Sequence, residues 1–193
     1  MSNFIERRLS LRDGHEYLLR TLRDEDSAAM RALERDLIAA QEGVVKYEDE
    51  LADEETYAAQ LKKRSEAKGA LQIVAERDGV IVGEASLTRF PLRMLRHVGL
   101  LGLGVHPEAQ GVGLGRALFE SMIDWARAQT GDERILRLEL YTRADNHRAI
   151  KLYQSLGFVI EGTRRGFIKQ ADGSLLDDFV MGLLLSPAQQ PTG

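Results

Sequence analysis

Three glycines at alternate positions follow an apolar stretch, and this arrangement can bind a phosphate group. The stretch covers residues 98–105, and the residues after the glycines repeat at helical spacing. A helix N-terminus exposes unpaired N–H groups and a partial positive charge, and glycines let the backbone approach an anion closely because they lack a Cβ. The sequence therefore predicts a phosphate-binding turn at Gln110, Gly111, Val112, Gly113, Leu114 and Gly115.

The turn differs from the two commonest phosphate-binding loops. A P-loop ends in Gly-Lys-Ser/Thr, whereas Gly115 is followed by Arg116 and Ala117. A dinucleotide-binding loop has the spacing GxGxxG and an acidic residue that closes the next strand, and this sequence has neither. A tight turn between a strand and a helix, with no ligand, remains an alternative.

A second segment with candidate chemistry begins about thirty residues downstream, from Asp145 to Phe158. Apolar residues at positions 149, 152, 153 and 156 follow an i, i+3, i+4, i+7 pattern, which predicts that Tyr153 lies on the buried face of a helix. Asn146 is two turns away on the same face, about 10 Å along the axis. A core tyrosine and a helix-capping asparagine are the alternatives without a catalytic role.

The two motifs, in this order and at this spacing, resemble the GCN5-related N-acetyltransferase (GNAT) superfamily. The resemblance covers roughly Tyr17 to Leu184. More narrowly, residues 157–163 and the pattern Asp172, Gly173, Asp178, Met181 resemble bacterial amino-acid and small-amine N-acetyltransferases. The resemblance implies an α/β fold with a mixed, mostly antiparallel central sheet flanked by about four helices. It also implies a splay between two parallel strands, over residues 98–105 and 136–142.

The resemblance implies acetyl-CoA as cosubstrate and direct transfer of the acetyl group to a primary amine. In the family the glycine-rich turn grips the pyrophosphate, and two strand residues pair with the pantetheine arm. Tyr153 would be the general acid, since a phenol with a pKa of about 10 can protonate a thiolate whose conjugate acid is near about 8.5. The implied cofactor-binding residues are Leu103, Val105, Gln110, Gly111, Val112, Gly113, Leu114, Gly115, Arg116, Asn146 and Tyr153.

The general base is not fixed by the sequence. Many relatives carry a carboxylate on the strand before the turn, but residues 98–105 contain none. Glu84, Glu139 and His97 are candidate bases, and each is also consistent with a surface or strand-end position. A base is dispensable for an α-amine with a pKa near 8, because about a tenth of it is neutral at pH 7. The sequence thus favours an α-amino substrate or a water chain.

Charged residues suggest binding positions for both substrates. Arg148 and Lys151, together with Arg116, are candidates for phosphate contacts, with ordinary solvated helix charges as the alternative. The acidic run over residues 48–55 could attract a cationic amine, although a solvated helix start explains it equally well. Asp177 and Asp178 are further candidates for binding a substrate ammonium.

The remaining pattern predicts the elements that position these residues. Strands are expected over residues 17–21, 71–76, 80–87, 159–169 and 176–184, with two-residue turns at Asp78-Gly79 and Asp172-Gly173. Helices are expected over residues 23–40, with Asp24 or Asp26 as N-cap, and over residues 53–68, 114–125 and 145–156. The first residues and residues 186–193 are polar and are expected to be loosely ordered.

Composition limits the rival functions. The chain has 193 residues, 44% of them apolar and 29% charged, which predicts one domain over residues 1–193 with its core at about 15–185. The net charge of −4 gives no attraction to nucleic acid or membrane. Without cysteine, neither a disulfide nor an acyl-thiol enzyme can form. The positions of His15, His106 and His147 predict no metal site.

We expect the protein to be cytoplasmic, because the start of the chain lacks a signal-peptide pattern. Its partner is a small-molecule amine, and a homodimer is common among relatives. The alternatives are a protein or peptide N-acetyltransferase, a non-catalytic acyl-CoA-binding sensor, and a nucleotide-binding oxidoreductase. The glycine spacing disfavours the last of these.

Overall fold

A computed structural model of the protein describes residues 4–41 and 43–185. Within those ranges the chain forms eight strands and four α-helices, with short 3-10 turns between them. The strands are β1 (Arg7–Ser10), β2 (Glu16–Thr21), β3 (Leu71–Arg77), β4 (Val80–Arg89), β5 (Val98–Val105), β6 (Arg137–Arg143), β7 (Val159–Lys169) and β8 (Leu175–Leu184). The helices are α1 (Ser27–Ala40), α2 (Glu54–Ser65), α3 (Leu114–Arg127) and α4 (His147–Ser155).

The strands form a single mixed sheet in the order β1-β2-β3-β4-β5-β6-β8-β7. All neighbours are antiparallel except β5 and β6, which are parallel. These two strands pair only from Val98–Arg137 to Leu100–Glu139 and then separate, while β6 stays paired with β8 as far as Arg143. The predicted mixed sheet with a splay between two parallel strands is confirmed.

Two hydrophobic clusters lie on opposite faces of the sheet. Ile73 and Ala75 belong to the larger cluster, under α3 and α4, and Val74 belongs to the smaller one, under α1 and α2. Because successive strand residues point to opposite faces, the two helix pairs cover the two sides of the sheet. The separated strands therefore leave a passage between the α1 side and the α3 side.

Sequence periodicity placed most elements within a few residues of their observed bounds. Asp78 and Gly79 both have positive φ, of 52° and 79°, as the predicted two-residue hairpin turn requires. Asp53 caps α2 by accepting a hydrogen bond from the N–H of Thr56 at 2.8 Å. Helices α2 and α4 are shorter at both ends than predicted, and the residues predicted to end each helix form turns instead.

Three expectations need correction. Residues 24–26 form a 3-10 turn, so α1 begins at Ser27 instead of residue 23. Asp26, one of the two predicted candidates, occupies the N-cap position of α1, but it makes no side-chain capping bond because its carboxylate bonds the Arg20 guanidinium and the N–H of Arg23. Strand β1 pairs with β2 in the stretch expected to be loosely ordered, so the sheet starts before the expected core boundary at about residue 15. The expected tail over residues 186–193 lies outside the described residues.

Candidate active site

The splay between β5 and β6 opens into a cleft of about 530 Å³. Leu37, Gly43 and Val44 line it on the α1 side of the sheet. The glycine-rich turn and α4 residues line it on the α3 side. The cleft thus gives two molecules access to one point from opposite faces of the sheet.

The main chain of β5 faces this cleft at alternate residues. The N–H of His106 donates to the carbonyl of Val82 on β4 at 2.9 Å, so the main-chain groups of Gly104 and Gly102 also point to β4. Those of Leu103 and Val105 then point to the cleft. The carbonyl of Val105 accepts a hydrogen bond from Gln110 Nε2 at 2.9 Å. The N–H and carbonyl of Leu103 and the N–H of Val105 therefore face the cleft. An extended molecule could form hydrogen bonds with them as an additional strand would.

The glycine-rich turn presents N–H groups at the start of α3. Gly111 and Gly113 have φ of 80° and 105°, a left-handed conformation that favours glycine. The first helical hydrogen bond runs from the N–H of Ala117 to the carbonyl of Gly113, so the helix does not use the N–H groups of Leu114, Gly115 and Arg116. This arrangement is the anion-binding geometry that the sequence predicted.

Basic side chains surround the turn. Arg116 and Arg148 line the cleft, and Arg148 donates a hydrogen bond to Gln110 Oε1. Lys151 is exposed and is not among the lining residues, and Val112 packs its side chain against the core. Arg12 also lines the cleft, and its N–H bonds the carbonyl of Val112 at 3.3 Å. Sequence reasoning missed Arg12, since nothing local links it to a turn about one hundred residues away.

Tyr153 lies at the buried end of the cleft. Its ring stacks on Phe119 with centroids 5.0 Å apart and meets Phe158 edge-on, and the residue is 7% exposed. Burial raises the pKa of Tyr153 to about 12. Its hydroxyl makes no hydrogen bond to the part of the chain that the structure describes, although the residue lines the cleft. The phenol thus keeps its proton at neutral pH and has it available for a ligand.

Asn146 caps a helix and lines the cleft. Its Oδ1 accepts a hydrogen bond from the N–H of Ala149 at 3.1 Å and so caps α4. The residue also lines the cleft, and its amide nitrogen lies close to Gly43, where an added Cβ would be 2.6 Å away. The cap leaves the amide N–H₂ directed at the cleft and the segment after α1.

Glu84 is the candidate base that lies beside the cleft. It pairs with Gly104 across the β4–β5 ladder, and its Oε1 is 3.6 Å from where a Cβ of Gly104 would be. Burial raises the pKa of Glu84 to about 7, with Arg64 opposing this and Glu34 adding to it. Since Gly104 and Leu37 line the cleft, the carboxylate is next to its α1 side. A carboxyl with this pKa can accept a proton at neutral pH.

The other candidate bases are placed differently. Glu139 accepts hydrogen bonds from Arg137 and Tyr141, and Arg137 also pairs with Glu161. Of these residues only Tyr141 lines the cleft. His97 is exposed just before β5, at the end of that strand opposite the glycine-rich turn. The geometry therefore favours Glu84 among the three.

The acidic residues proposed to bind an ammonium already have other contacts. Asp178 is buried and pairs with Arg164, whose guanidinium stacks between Tyr141 and Phe167. Asp177 accepts a hydrogen bond from the N–H of Gly166 at 2.7 Å. The acidic run supplies an exposed 3-10 turn at Glu48–Glu50 and the start of α2. These contacts leave Glu84 as the acid positioned for an amine.

In the described ranges, no group of three or more His, Asp or Glu residues could hold a metal ion. None of the helices in those ranges has both the length and the apolar run that a membrane crossing requires.

Comparisons with known proteins agree with this geometry. The Acetyltransferase (GNAT) family model matches residues 23–158. Ribosomal protein bS18-alanine N-acetyltransferase from Escherichia coli (strain K12) is 38% identical over 93 residues, which are 48% of this chain and 60% of that protein. L-amino acid N-acyltransferase MnaT from the same organism is 33% identical over 115 residues, which are 59% and 64% of the two chains. The chain thus spans less than two thirds of either relative's length.

Solved structures match nearly the whole chain. The acetyltransferase of the GNAT family from Streptococcus pneumoniae has a TM-score of 0.80 and 28% identity, covering 88% of this chain and 99% of that one. The structure of yncA from Salmonella typhimurium with its cofactor acetyl-CoA has a TM-score of 0.76 and 25% identity, covering 91% and 97%.

Proposed function

Since the chain belongs to the GNAT acetyltransferase family, we propose that it is an N-acetyltransferase that moves the acetyl group of acetyl-CoA directly to a primary amine of a small molecule. The observation that carries the proposal is the cleft between β5 and β6, with Tyr153 on its α3 side and Glu84 beside its α1 side. One group can thus give a proton to a leaving thiolate while another takes one from an amine.

The residues fit acetyl-CoA. The N–H groups at the start of α3, with Arg12, Arg116 and Arg148, suit the phosphates, because this cluster places positive charge around a turn whose glycines let the backbone approach an anion. The cleft-facing main chain of Leu103 and Val105 suits the amide groups of pantetheine. Val112 and Leu114 would contribute main-chain groups only, since their side chains pack in the core.

Acetyl-CoA supplies a thioester, so the amine nitrogen bonds the carbonyl carbon, the C–S bond breaks, the amine loses a proton and the thiolate gains one. Glu84 takes the proton of the amine, which enters from the α1 side. Tyr153 donates its phenolic proton toward the sulfur. Its raised pKa keeps the phenol protonated at pH 7, and the tyrosinate left after donation, a stronger base than the thiolate, regains a proton from water.

Glu84 takes the place of the carboxylate that β5 lacks. Its side chain lies beside Gly104, with Oε1 3.6 Å from where a Cβ at residue 104 would be. A carboxylate with a pKa of about 7 is ionised in about half of the molecules at neutral pH. We therefore assign the base to Glu84 instead of Glu139 or His97.

Two other activities remain alternatives. Acetylation of a protein N-terminus uses the same chemistry, and one relative is named for it. A non-catalytic acyl-CoA-binding sensor needs the cofactor cleft but neither Tyr153 nor Glu84. The hydroxyl of Tyr153, which has no hydrogen-bond partner within residues 4–41 and 43–185, is available to a ligand and speaks against the sensor.

The experiment is to incubate the protein with acetyl-CoA and a panel of L-amino acids, polyamines and peptides, and to follow free thiol. Release that depends on one class of amine supports the proposal and gives the acceptor class. Binding of CoA in a titration, with no release from any amine, favours the sensor. Failure to bind CoA contradicts both activities.

A further inference from the structure

The segment between α1 and α2 crosses the α1 side of the cleft. We call residues 43–53 the strap. Gly43 and Val44 line the cleft, opposite Tyr141 of β6 and beside Leu37 of α1. An amine that approaches Glu84 from this side must pass next to the strap.

The strap is held by hydrogen bonds to α1, β6 and β7, and near its end Arg31 Nε of α1 donates to the carbonyl of Ala52 at 2.7 Å. The Tyr47 hydroxyl donates to the carbonyl of Lys169, at the end of β7, at 2.9 Å. Arg143 Nη1, at the end of β6, donates to the carbonyl of Val44 at 3.3 Å. Lys46 Nζ bonds Glu34 of α1 at 2.7 Å. The strap therefore bridges α1 and the β7–β8 hairpin across the entrance.

The two ends of the strap are packed more deeply than its middle. Val44, Leu51 and Ala52 pack against the hydrophobic cluster under α1 and α2, so the two ends of the strap are part of the core. Val45 and Tyr47 are 60% and 43% exposed. The middle of the strap is thus held to the hairpin by the Tyr47 hydroxyl and to α1 by Lys46, and loss of the hydroxyl frees it from the hairpin without disturbing the core.

We propose that Tyr47 is a specificity-determining residue, which restricts the acceptor to a free small amine by holding the strap against the β7–β8 hairpin. A small amine needs only the cleft itself. A polypeptide N-terminus also needs a way out of the cleft for the chain behind it, and a strap bonded to the end of β7 narrows that way out on the α1 side. The inference rests on the proposed function. It distinguishes a protein acceptor from a free amino acid, the two kinds of acceptor that the names of relatives mention.

The test compares free L-amino acids with tripeptides that begin with the same residue and end in two alanines. The kcat/KM for acetylation of each is measured in wild type and in Tyr47→Phe, which removes only the hydroxyl. Wild type should prefer the free amino acid by at least about tenfold. Tyr47→Phe should reduce that preference about fivefold, through a lower KM for the tripeptide, since a fivefold change corresponds to about one net hydrogen bond.

Thr56→Val is the matched control. It removes the hydroxyl that bonds Asp53 at the start of α2, with no contact to the hairpin. This variant should keep the wild-type preference. An unchanged preference in Tyr47→Phe, or equal rates for tripeptide and amino acid in wild type, would overturn the role of Tyr47 but leave the acetyltransferase proposal standing. No thiol release from any amine would overturn both.

Discussion

Glu84 and Gly104 face each other across the β4–β5 ladder, and the Glu84 carboxylate packs beside Gly104. A Cβ at position 104 would lie 2.8 Å from Leu37 Cδ1, so alanine would force the Leu37 side chain to move, whereas Glu84 Oε1 would be at ordinary contact distance, 3.6 Å. Desolvation of the Glu84 carboxylate raises its pKa to about 7. The position and the proton affinity of the base thus both depend on its packing between the sheet and α1.

Glu84→Gln should remove a pH dependence from catalysis. In wild type the base must be ionised, so kcat/KM should rise with pH and level off above the pKa of about 7. The variant should lose about a hundredfold in kcat/KM at pH 8, and its rise near pH 7 should disappear. Thiol release measured from pH 5.5 to 9 tests this. A variant that keeps the wild-type profile would exclude Glu84 as the base.

The same substitution should stabilise the fold at high pH. Glu84 binds a proton more tightly in the folded state than in the unfolded one, so ionising it costs folding free energy as pH rises from about 4.5 to about 7. Glu84→Gln should therefore raise the free energy of unfolding by about 2 kcal/mol at pH 8 and leave it nearly unchanged below pH 4.5. Denaturant unfolding at both values measures this, and an equal effect at the two would contradict the buried charge.

Tyr153→Phe should separate catalysis from stability. The hydroxyl has no hydrogen-bond partner in the described chain, so its loss should change the free energy of unfolding by less than about 0.5 kcal/mol. It should lower kcat about a hundredfold with little change in the Kd for CoA. Tyr17→Phe is the control, because that hydroxyl bonds Asp13 at 2.6 Å and neither residue lines the cleft.

The control should show the reverse behaviour. Tyr17→Phe should cost about 1 kcal/mol of stability and leave kcat unchanged. Steady-state kinetics, a CoA titration and denaturant unfolding on the same preparations give both quantities. A Tyr153→Phe enzyme with wild-type kcat would show that the thiolate leaves without a proton from this residue.

At the scale of elements, the turn before α3 allows a matched test. Gly111 and Gly79 have φ of 80° and 79°, and neither has an atom within 4 Å of an added Cβ. Alanine at either position should cost about 1 kcal/mol of stability from the left-handed conformation alone. Only Gly111→Ala should also weaken CoA binding, by about tenfold, because its Cβ would stand where the phosphates approach.

Isothermal titration with CoA and denaturant unfolding measure the two effects. If Gly111→Ala and Gly79→Ala bind CoA equally well, the turn is not the phosphate site. Gly79→Ala is a suitable control because its hairpin, between β3 and β4, is not part of the cleft.

The elements predicted best from sequence are those with one buried face. The helical repeat of α3 and the apolar run of β5 survive in the structure because each packs on the larger cluster. Strand β1 was missed because its four residues lie at the edge of the sheet and are mostly exposed, so they carry no alternating pattern. The start of α1 was misplaced because residues 24–26 form a 3-10 turn, whose Asp26 carboxylate bonds Arg20 and the N–H of Arg23 instead of the helix N-terminus.

The site residues also differ in whether the sequence reveals them. The glycine-rich turn and Tyr153 could be found because each lies in a local motif whose chemistry depends on its own backbone. Glu84 could not be separated from Glu139, because the choice depends on which residue faces Gly104 across a ladder. The hydrogen bonds of Arg12 to Val112 and of Tyr47 to Lys169 each join residues about one hundred or more positions apart. No local sequence signal could therefore reveal them.

At the scale of the molecule, a buried ionic cluster joins α1 to the sheet. Arg20 of β2 pairs through both terminal nitrogens with Asp26 and through Nε with Glu76 of β3. The Arg20 and Asp26 side chains are 5% and 8% exposed. Burial alone would raise the pKa of Asp26, but hydrogen bonds from Arg20 and the N–H of Arg23 hold it below its usual value. The cluster thus fixes the helix that carries Leu37 to the cleft.

Asp26→Asn should destabilise the protein by about 3 kcal/mol at pH 7, because it leaves part of the buried Arg20 charge without a partner. A carboxylate with a lowered pKa stabilises the fold above its unfolded pKa of about 3.8 and loses this effect as pH falls, so the difference from wild type should shrink below pH 4. Glu16→Gln is the control, since its pair with Arg8 is exposed and should contribute less than about 0.5 kcal/mol. Denaturant unfolding of the three proteins at pH 7 and pH 3.5 measures both effects. Equal losses in the two variants would mean that solvent screens the cluster and that packing alone holds α1 over the cleft.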